Sequence, residues 1–320
     1  MKLFFAPMEG FTTYPYRNVH HKFFPGIDKY FTPFLSTNRE LTFNPHDRKE
    51  IEPESNPAFR IGDGSLVPQI LTKDPDQLIW AAGVLKDMGY PEMNLNLGCP
   101  SATVVPKGKG AGMLKDPDEL REFLDRSFPA IEADGMKLSI KTRLGMQDPE
   151  EFGELLKIYN DYPVSELIVH ARVREDFYKG PVREDVFTEY AEEIKAPLIY
   201  NGDIHTIEDI ERIAGRFPNL KGVMIGRGLL TDPALCMEEK TTSPALNREY
   251  QAFLTEVYLA YREAYGSEQN ALIKMKALWE YVRLAFAENK KGLKKILKSR
   301  KEEDYLQAVR EFFETAEGPK

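Results

Sequence analysis

The 320-residue chain predicts an α/β protein, a TIM (β/α)8 barrel that carries a C-terminal all-α helical domain. Three observations lead there. Eight short apolar runs recur along the first two-thirds of the chain, segments of helical period separate most of them, and beyond Leu235 no strand-like run follows. Strands alternating with helices build a parallel sheet with helical crossovers, and eight strands close such a sheet into a barrel. A doubly wound open sheet uses the same alternation and is the alternative.

The expected strands are KLFFAPM (2–8), KYFTPF (29–34), VPQIL (67–71), EMNLNL (92–97), KLSIKT (137–142), ELIVHA (166–171), PLIYNG (197–202) and GVMIGRG (222–228). Pro33 interrupts the second, because proline cannot donate to a strand ladder. Between the runs, KDPDQLIWAAGVLKDMG and KDPDELREFLDRSF each place Asp then Pro where a helix begins, and HTIEDIERIAGRF has the same helical period. These elements assign residues 1–240 to the barrel. The polar stretch that ends in SPALN is expected as a linker at 241–247. From 248 to 320 apolar residues fall at helical spacing, among them Phe253, Val257, Leu272, Met275, Trp279, Val309 and Phe312, with Gly266 and Gly292 as expected breaks.

Charge is divided unevenly between these regions. The chain carries a net charge of -8. From Asn270 to Arg300 nine basic residues stand against Glu280 and Glu288, hence +7, which leaves -15 on the rest. A basic block on an acidic body suits a protein that grips a polyanion with one face, although a solvated lysine-rich helix has the same composition. Two distant cysteines, Cys99 and Cys236, suggest no disulfide framework, and the opening MKLFFAPMEG is too short for a signal or membrane segment. The expected compartment is the cytoplasm, with no membrane and no protein partner. The five histidines show no zinc spacing, so no metal is expected. PKGKGAGM fails both the dinucleotide fingerprint and the P-loop, and no G-x-S-x-G occurs.

Barrel enzymes place their chemistry at the C-terminal strand ends. Here those positions are Pro7 and Met8 after the first run, Gln69 in the third, Asn96 and Cys99 at and after the fourth, and Lys141 with Arg143 after the fifth. His170 ends the sixth, Asn201, Gly202 and Asp203 the seventh, and Gly226 with Arg227 the eighth. Loops after strands seven and eight commonly hold phosphate, and glycine lets backbone approach an anion while arginine forks onto its oxygens.

With APMEGFT and Arg17, NLNLGCP, KTRLG, IVHAR, YNGDI and MIGRG in order, the chain resembles the tRNA-dihydrouridine synthase family of flavoenzymes. The resemblance implies FMN at the barrel mouth, NADPH as its reductant, and tRNA as the substrate whose uridine C5=C6 bond is reduced. Carried over position by position, Gln69 and Lys141 would contact the isoalloxazine ring and His170 would lie beside it. Pro7, Met8, Asn201, Gly202, Asp203, Gly226 and Arg227 would complete the cofactor site, the last positions at the phosphate end. Asn96 would face the uracil edge, Arg143 and Arg172 would meet the RNA at the mouth, and Cys99 would protonate C5. A thiol is mostly protonated at neutral pH, and no histidine near Cys99 in sequence would activate it as a nucleophile, so an acid is the expected role. The loop 101–112 reads as a lid whose Lys107 and Lys109 would touch phosphates. A ribosomal RNA substrate, a small-molecule flavin reductase, and a barrel that binds RNA without reducing it are the competing expectations.

Overall fold

The apolar runs become strands of a single parallel sheet in the computed structural model, which describes residues 1–237, 243–286 and 289–316. The strands are β1 (Lys2–Phe5), β2 (Lys29–Phe31), β3 (Leu35–Ser36), β4 (Leu66–Val67), β5 (Gln69–Leu71), β6 (Glu92–Leu97), β7 (Lys137–Gly145), β8 (Leu167–Val173), β9 (Leu198–Asn201) and β10 (Gly222–Ile225). Ten segments make eight staves. β2 and β3 are one stave broken at Pro33, and β4 and β5 are another broken at Pro68. β2 pairs with β4 and β3 with β5, β5 pairs with β6, and β10 pairs with β1, so the ring closes as a TIM barrel.

Period-two alternation decides what each strand sends inward. In β6, Met93, Leu95 and Leu97 join the large core shared with the helices, while Asn94 and Asn96 bond to residues of neighbouring staves. Phe4, Ala6, Phe31, Val67, Ile168, Ile199 and Met224 form a second, separate apolar cluster that fills the barrel interior. Below this plug, Lys29 Nζ lies 2.7 Å from Glu92 and 2.8 Å from Glu166, and all three side chains are buried.

Eight helices follow the staves: α1 (Tyr14–Phe23), α2 (Pro45–Lys49), α3 (Pro75–Asp87), α4 (Pro117–Ala133), α5 (Phe152–Tyr159), α6 (Glu184–Ala191), α7 (Ile207–Arg216) and α8 (Arg227–Thr231). Asp74 and Asp116 cap α3 and α4, each accepting from two backbone N–H groups with proline at the first helical position. β10 stops at Ile225, so Arg227 opens α8 instead of extending the eighth strand to residue 228.

The C-terminal region folds as α9 (Ser243–Tyr265), α10 (Glu268–Ala285), α11 (Lys290–Lys298) and α12 (Glu302–Glu314). Part of the expected linker is helical. Residues 241 and 242 lie outside those described, and α9 already begins at Ser243, with Pro244 in the first turn where proline is tolerated. Gly266, at φ 59°, does separate two helices. Gly292 does not break the chain; it lies inside α11, where an added Cβ would come within 2.8 Å of Phe312, so it is there for close helix packing. Phe253 of α9 packs on Tyr16 and Phe24, Tyr261 Oη donates to Phe11 O, and Lys274 Nζ donates to Gly10 O. The helical region is thereby fixed against the first βα unit of the barrel. Among the described residues no helix is long and apolar enough to cross a membrane, and no cluster of three metal-ligating side chains occurs.

Candidate active site

The C-terminal ends of the staves surround a cavity of about 500 Å³. Ala6, Pro7, Met8 and Met224 supply an apolar surface, and the polar groups come from opposite sides of the ring: Gln69, Asn96 and Cys99 on one, Asn201, Gly202, Asp203, Gly226 and Arg227 on the other. Lys141, Arg143 and His170 stand between them.

Cys99 is held by a ladder of amides that begins in the barrel interior. Asn94 Nδ2 donates to Ser139 Oγ (3.0 Å), Gln69 Nε2 to Asn94 Oδ1 (2.8 Å), and Asn96 Nδ2 to Gln69 Oε1 (2.8 Å). Asn96 Oδ1 then accepts the backbone N–H groups of Gly98 (3.0 Å) and Cys99 (2.9 Å). Arg143 Nε donates to Gly98 O at 2.7 Å, so the turn is gripped from both sides. Burial pushes the Cys99 thiol up, against the pull of the Ser101 N–H and the Arg143 cation. The thiol therefore keeps its proton at neutral pH. Behind it, Ala111 N–H donates to Cys99 O, and a Cβ on Gly110 would press against Cys99 Cβ at 3.0 Å.

Lys141 Nζ donates to Asn201 Oδ1 at 2.9 Å, and Asn201 Nδ2 donates to Met224 O at 2.7 Å. Burial, then the Arg143 cation, brings the lysine down to about 7, with Cys99 acting in the opposite sense. His170 is held well below the usual imidazole range by burial and by Arg143, Lys141, Arg172 and Arg227. Its Nε2 lies 3.2 Å from Arg172 Nη1, which can only donate, so the ring is neutral with its proton on Nδ1.

Arg172 does not reach the cavity as expected for an RNA contact. Its guanidinium is buried and fully engaged, with Nε on Gly180 O (2.7 Å) and a fork onto Asp203 (2.9 and 2.5 Å). Arg227 Nη2 meets the same carboxylate at 2.5 Å. Burial raises the Asp203 carboxyl, but the two guanidiniums outweigh it and hold it below the ordinary range. Lys107 and Lys109 lie outside the cavity wall, in a loop folded into two short 3-10 turns (Val105–Lys107 and Gly110–Lys115) whose Val104, Ala111, Met113 and Leu114 are buried. They sit near Lys73, and burial, with the like charges of Lys107 and Lys73, lowers the ammonium of Lys109.

Sequence reasoning missed several wall residues, among them four with large side chains from loops or from α10. Tyr178 lies under the guanidiniums of Arg143 (5.3 Å) and Arg227 (5.9 Å); Glu9 and Phe11 come from the first βα loop, and Tyr281 from α10. Glu9 and Phe11 lie within the APMEGFT motif, and the aromatic pair FY at 177–178, close after Arg174, is the signal that marks Tyr178.

A family model described as dihydrouridine synthase (Dus) matches residues 4–317. The chain belongs to the dihydrouridine synthase family. It is therefore an oxidoreductase. It is 30% identical over 238 residues to the tRNA-dihydrouridine(16) synthase of Pseudomonas syringae pv. tomato, covering 74% of each chain. It is 27% identical over 290 residues to tRNA-dihydrouridine synthase B of Pasteurella multocida, covering 88% of this chain and 83% of that one. A solved structure of morphinone reductase shares the fold at TM-score 0.52 and 8% identity, over 73% of this chain and 85% of that chain.

Proposed function

We propose that this dihydrouridine synthase reduces a uridine of tRNA to 5,6-dihydrouridine, with FMN as its resident cofactor, NADPH as reductant and Cys99 as the acid that protonates C5. The observation that carries the reading is a protonated, backbone-anchored thiol facing a cavity whose far wall is cationic, in a chain whose relatives are named for tRNA.

The residues present fit a flavin. The cavity has an apolar face for a planar ring and amide and amine donors at its edge, and it ends at the Arg227 cation. Glycine at 226 keeps the groove open, because a Cβ there would come within 3.0 Å of Met8 Sδ. Gln69, Lys141 and His170 would hold the ring, and Pro7, Met8, Asn201, Gly202, Gly226 and Arg227 the rest. Asp203 acts by aiming Arg227, since a carboxylate facing a phosphate would repel it. When bound, the flavin supplies the hydride for C6 of the uracil.

The chain's own residues supply the rest. Neutral His170 leaves the ring environment without an extra positive charge, while Lys141, poised near neutrality, can donate a hydrogen bond to developing negative charge. Asn96, through its second amide hydrogen, faces the uracil edge and fixes the distance from that edge to Cys99. Cys99 transfers its proton to C5, and Arg143 beside it stabilises the resulting thiolate until solvent returns the proton. Lys107, Lys109 and Lys73 would meet phosphates of the RNA outside the cavity, and the cytoplasm is the compartment where tRNA and NADPH meet.

The test is mass spectrometric mapping of dihydrouridine in unmodified tRNA and ribosomal RNA transcripts incubated with the enzyme, FMN and NADPH. Dihydrouridine at one defined tRNA position, formed roughly 100-fold or more slowly by Cys99→Ala, is expected for a lost general acid. Product only in ribosomal RNA would move the substrate there. Reducible flavin with no dihydrouridine in any RNA would identify a small-molecule reductase.

A further inference from the structure

The loop after β8 contains the feature that the reaction described above leaves unexplained. Phe177 adopts φ 49° and ψ -105°, the first central position of a type II′ turn that Lys179 N–H closes on Asp176 O at 3.0 Å, a position glycine ordinarily fills, yet it is a bulky aromatic that leaves 39% of its surface in water. Such a conformation costs on the order of 1–3 kcal/mol and persists only where its surroundings impose it. Here they do. Arg172 Nε holds Gly180 O, Arg227 Nη1 holds Tyr178 O at 3.2 Å, Arg183 pairs with Asp176, and Asp176 Oδ2 accepts Val173 N–H at 3.1 Å. Four tethers thus fix two adjacent, partly exposed rings: Tyr178 lines the cavity, and Phe177 next to it lies outside the lining.

The charges around these rings indicate what they meet. The Arg174 guanidinium lies 5.0 Å from the Phe177 ring centre, Arg143 and Arg227 lie over Tyr178, and Lys179 lines the cavity. Aromatic faces interleaved with cations suit a ligand that is flat and anionic, as single-stranded nucleic acid is. A uridine drawn into a barrel mouth leaves its neighbour with an open stacking face.

We propose that Phe177 is a stacking platform for the nucleobase adjacent to the target uridine, with Arg174 on the adjoining phosphate, so that the strained loop holds the RNA open while the uridine is in the cavity. The proposal rests on the RNA reading of the site and adds a substrate-positioning residue to it. No covalent step is involved.

The test compares Phe177→Ala, Phe177→Gly and Phe177→Trp with the wild-type enzyme. Four quantities are measured: kcat/KM for the tRNA transcript that the wild type modifies, NADPH-driven bleaching of bound flavin, Tm, and kcat/KM for that transcript made abasic at each flanking nucleotide. Loss of one base–aromatic stack lowers kcat/KM about tenfold or more in the Ala and Gly variants. Trp retains wild-type turnover within about twofold, flavin bleaching is unchanged in all three, and Gly, which relieves the strain, melts no lower than wild type. The abasic transcript is impaired with the wild type but no further with Phe177→Ala. Equal turnover of Phe177→Ala and wild type overturns the platform, as does a lower Tm with slowed flavin bleaching, which would make the ring structural. If the wild type itself makes no dihydrouridine, the RNA reading fails first, and the two failures are distinguished by that control.

Discussion

Lys141 illustrates how a single position balances stability against chemistry. Its amine is held at about 7 in the fold against an ordinary 10.5. Between those values the unfolded chain binds the extra proton, so stability rises with pH across that window, and the cost of burying the ammonium is fully present below it. Lys141→Met removes the titration. The variant is expected to gain on the wild type by a few °C in Tm at about pH 6 relative to about pH 10, while losing dihydrouridine formation; a Tm difference that is flat with pH overturns this account. Lys141 and Cys99 are legible in the sequence because strand ends are where barrels place chemistry. Tyr178 and Tyr281 are not, because each enters the cavity from a loop or from α10, and no periodicity of a loop or of an appended helix says which residue faces a distant strand end. Arg172 misleads for a related reason: from sequence an arginine past a strand offers a free cation, whereas here Asp203, thirty-one residues on, consumes it.

At the scale of elements, the order of strands and helices is legible and their interruptions are partly so. Pro33 splits its stave as expected, and Pro68 splits the next one by the same rule, since each removes a ladder donor between paired segments. Gly292 looks like a breaker in the sequence and Pro244 falls within the expected linker, but the fold uses the first for close packing on Phe312 and places the second in the first turn of a helix. The basic block also needs the structure to be weighed correctly. It falls largely on α11, where Lys295 Nζ is already paired with Glu311 at 2.6 Å and holds that carboxyl below its usual range. Replacing Lys290, Lys291 and Lys294 with Gln is expected to weaken tRNA binding and flatten the dependence of log Kd on log salt by roughly one for each phosphate that is no longer neutralised. Lys295→Gln changes that slope least, because its charge is compensated before RNA arrives. Filter binding across a salt series measures both, and slopes unchanged from wild type for all four substitutions would show that α11 does not face RNA.

For the whole molecule, the barrel separates its two ends by task. At the top the inward residues are Gln69, Asn96, Lys141, His170 and Asn201, and they build the cavity; at the bottom they are Lys29, Glu92 and Glu166, closed off from it by the interior apolar cluster. The cationic crowding at the top suits the anionic cofactor and RNA proposed to enter it, whereas the bottom must compensate itself. Two buried carboxylates share one ammonium there, burial and Glu92 push the Glu166 carboxyl up, and Lys29 pulls it down only in part. Removing the lysine leaves two uncompensated buried acids. Lys29→Met is therefore expected to cost about 3–5 kcal/mol near neutral pH. The sign with pH is fixed: a carboxyl raised in the fold binds its proton more tightly there than when unfolded, so the loss grows as pH rises through the folded value and shrinks toward pH 4–5. The triple change Lys29→Met, Glu92→Gln, Glu166→Gln should recover most of the stability, since neutral amides can hydrogen-bond to each other. Urea denaturation at about pH 5 and pH 8 measures the difference. Bleaching of bound flavin by NADPH, measured below the transition, should be the same for Lys29→Met as for wild type, because the apolar plug isolates the bottom from the cavity; altered bleaching would show that the two ends are coupled.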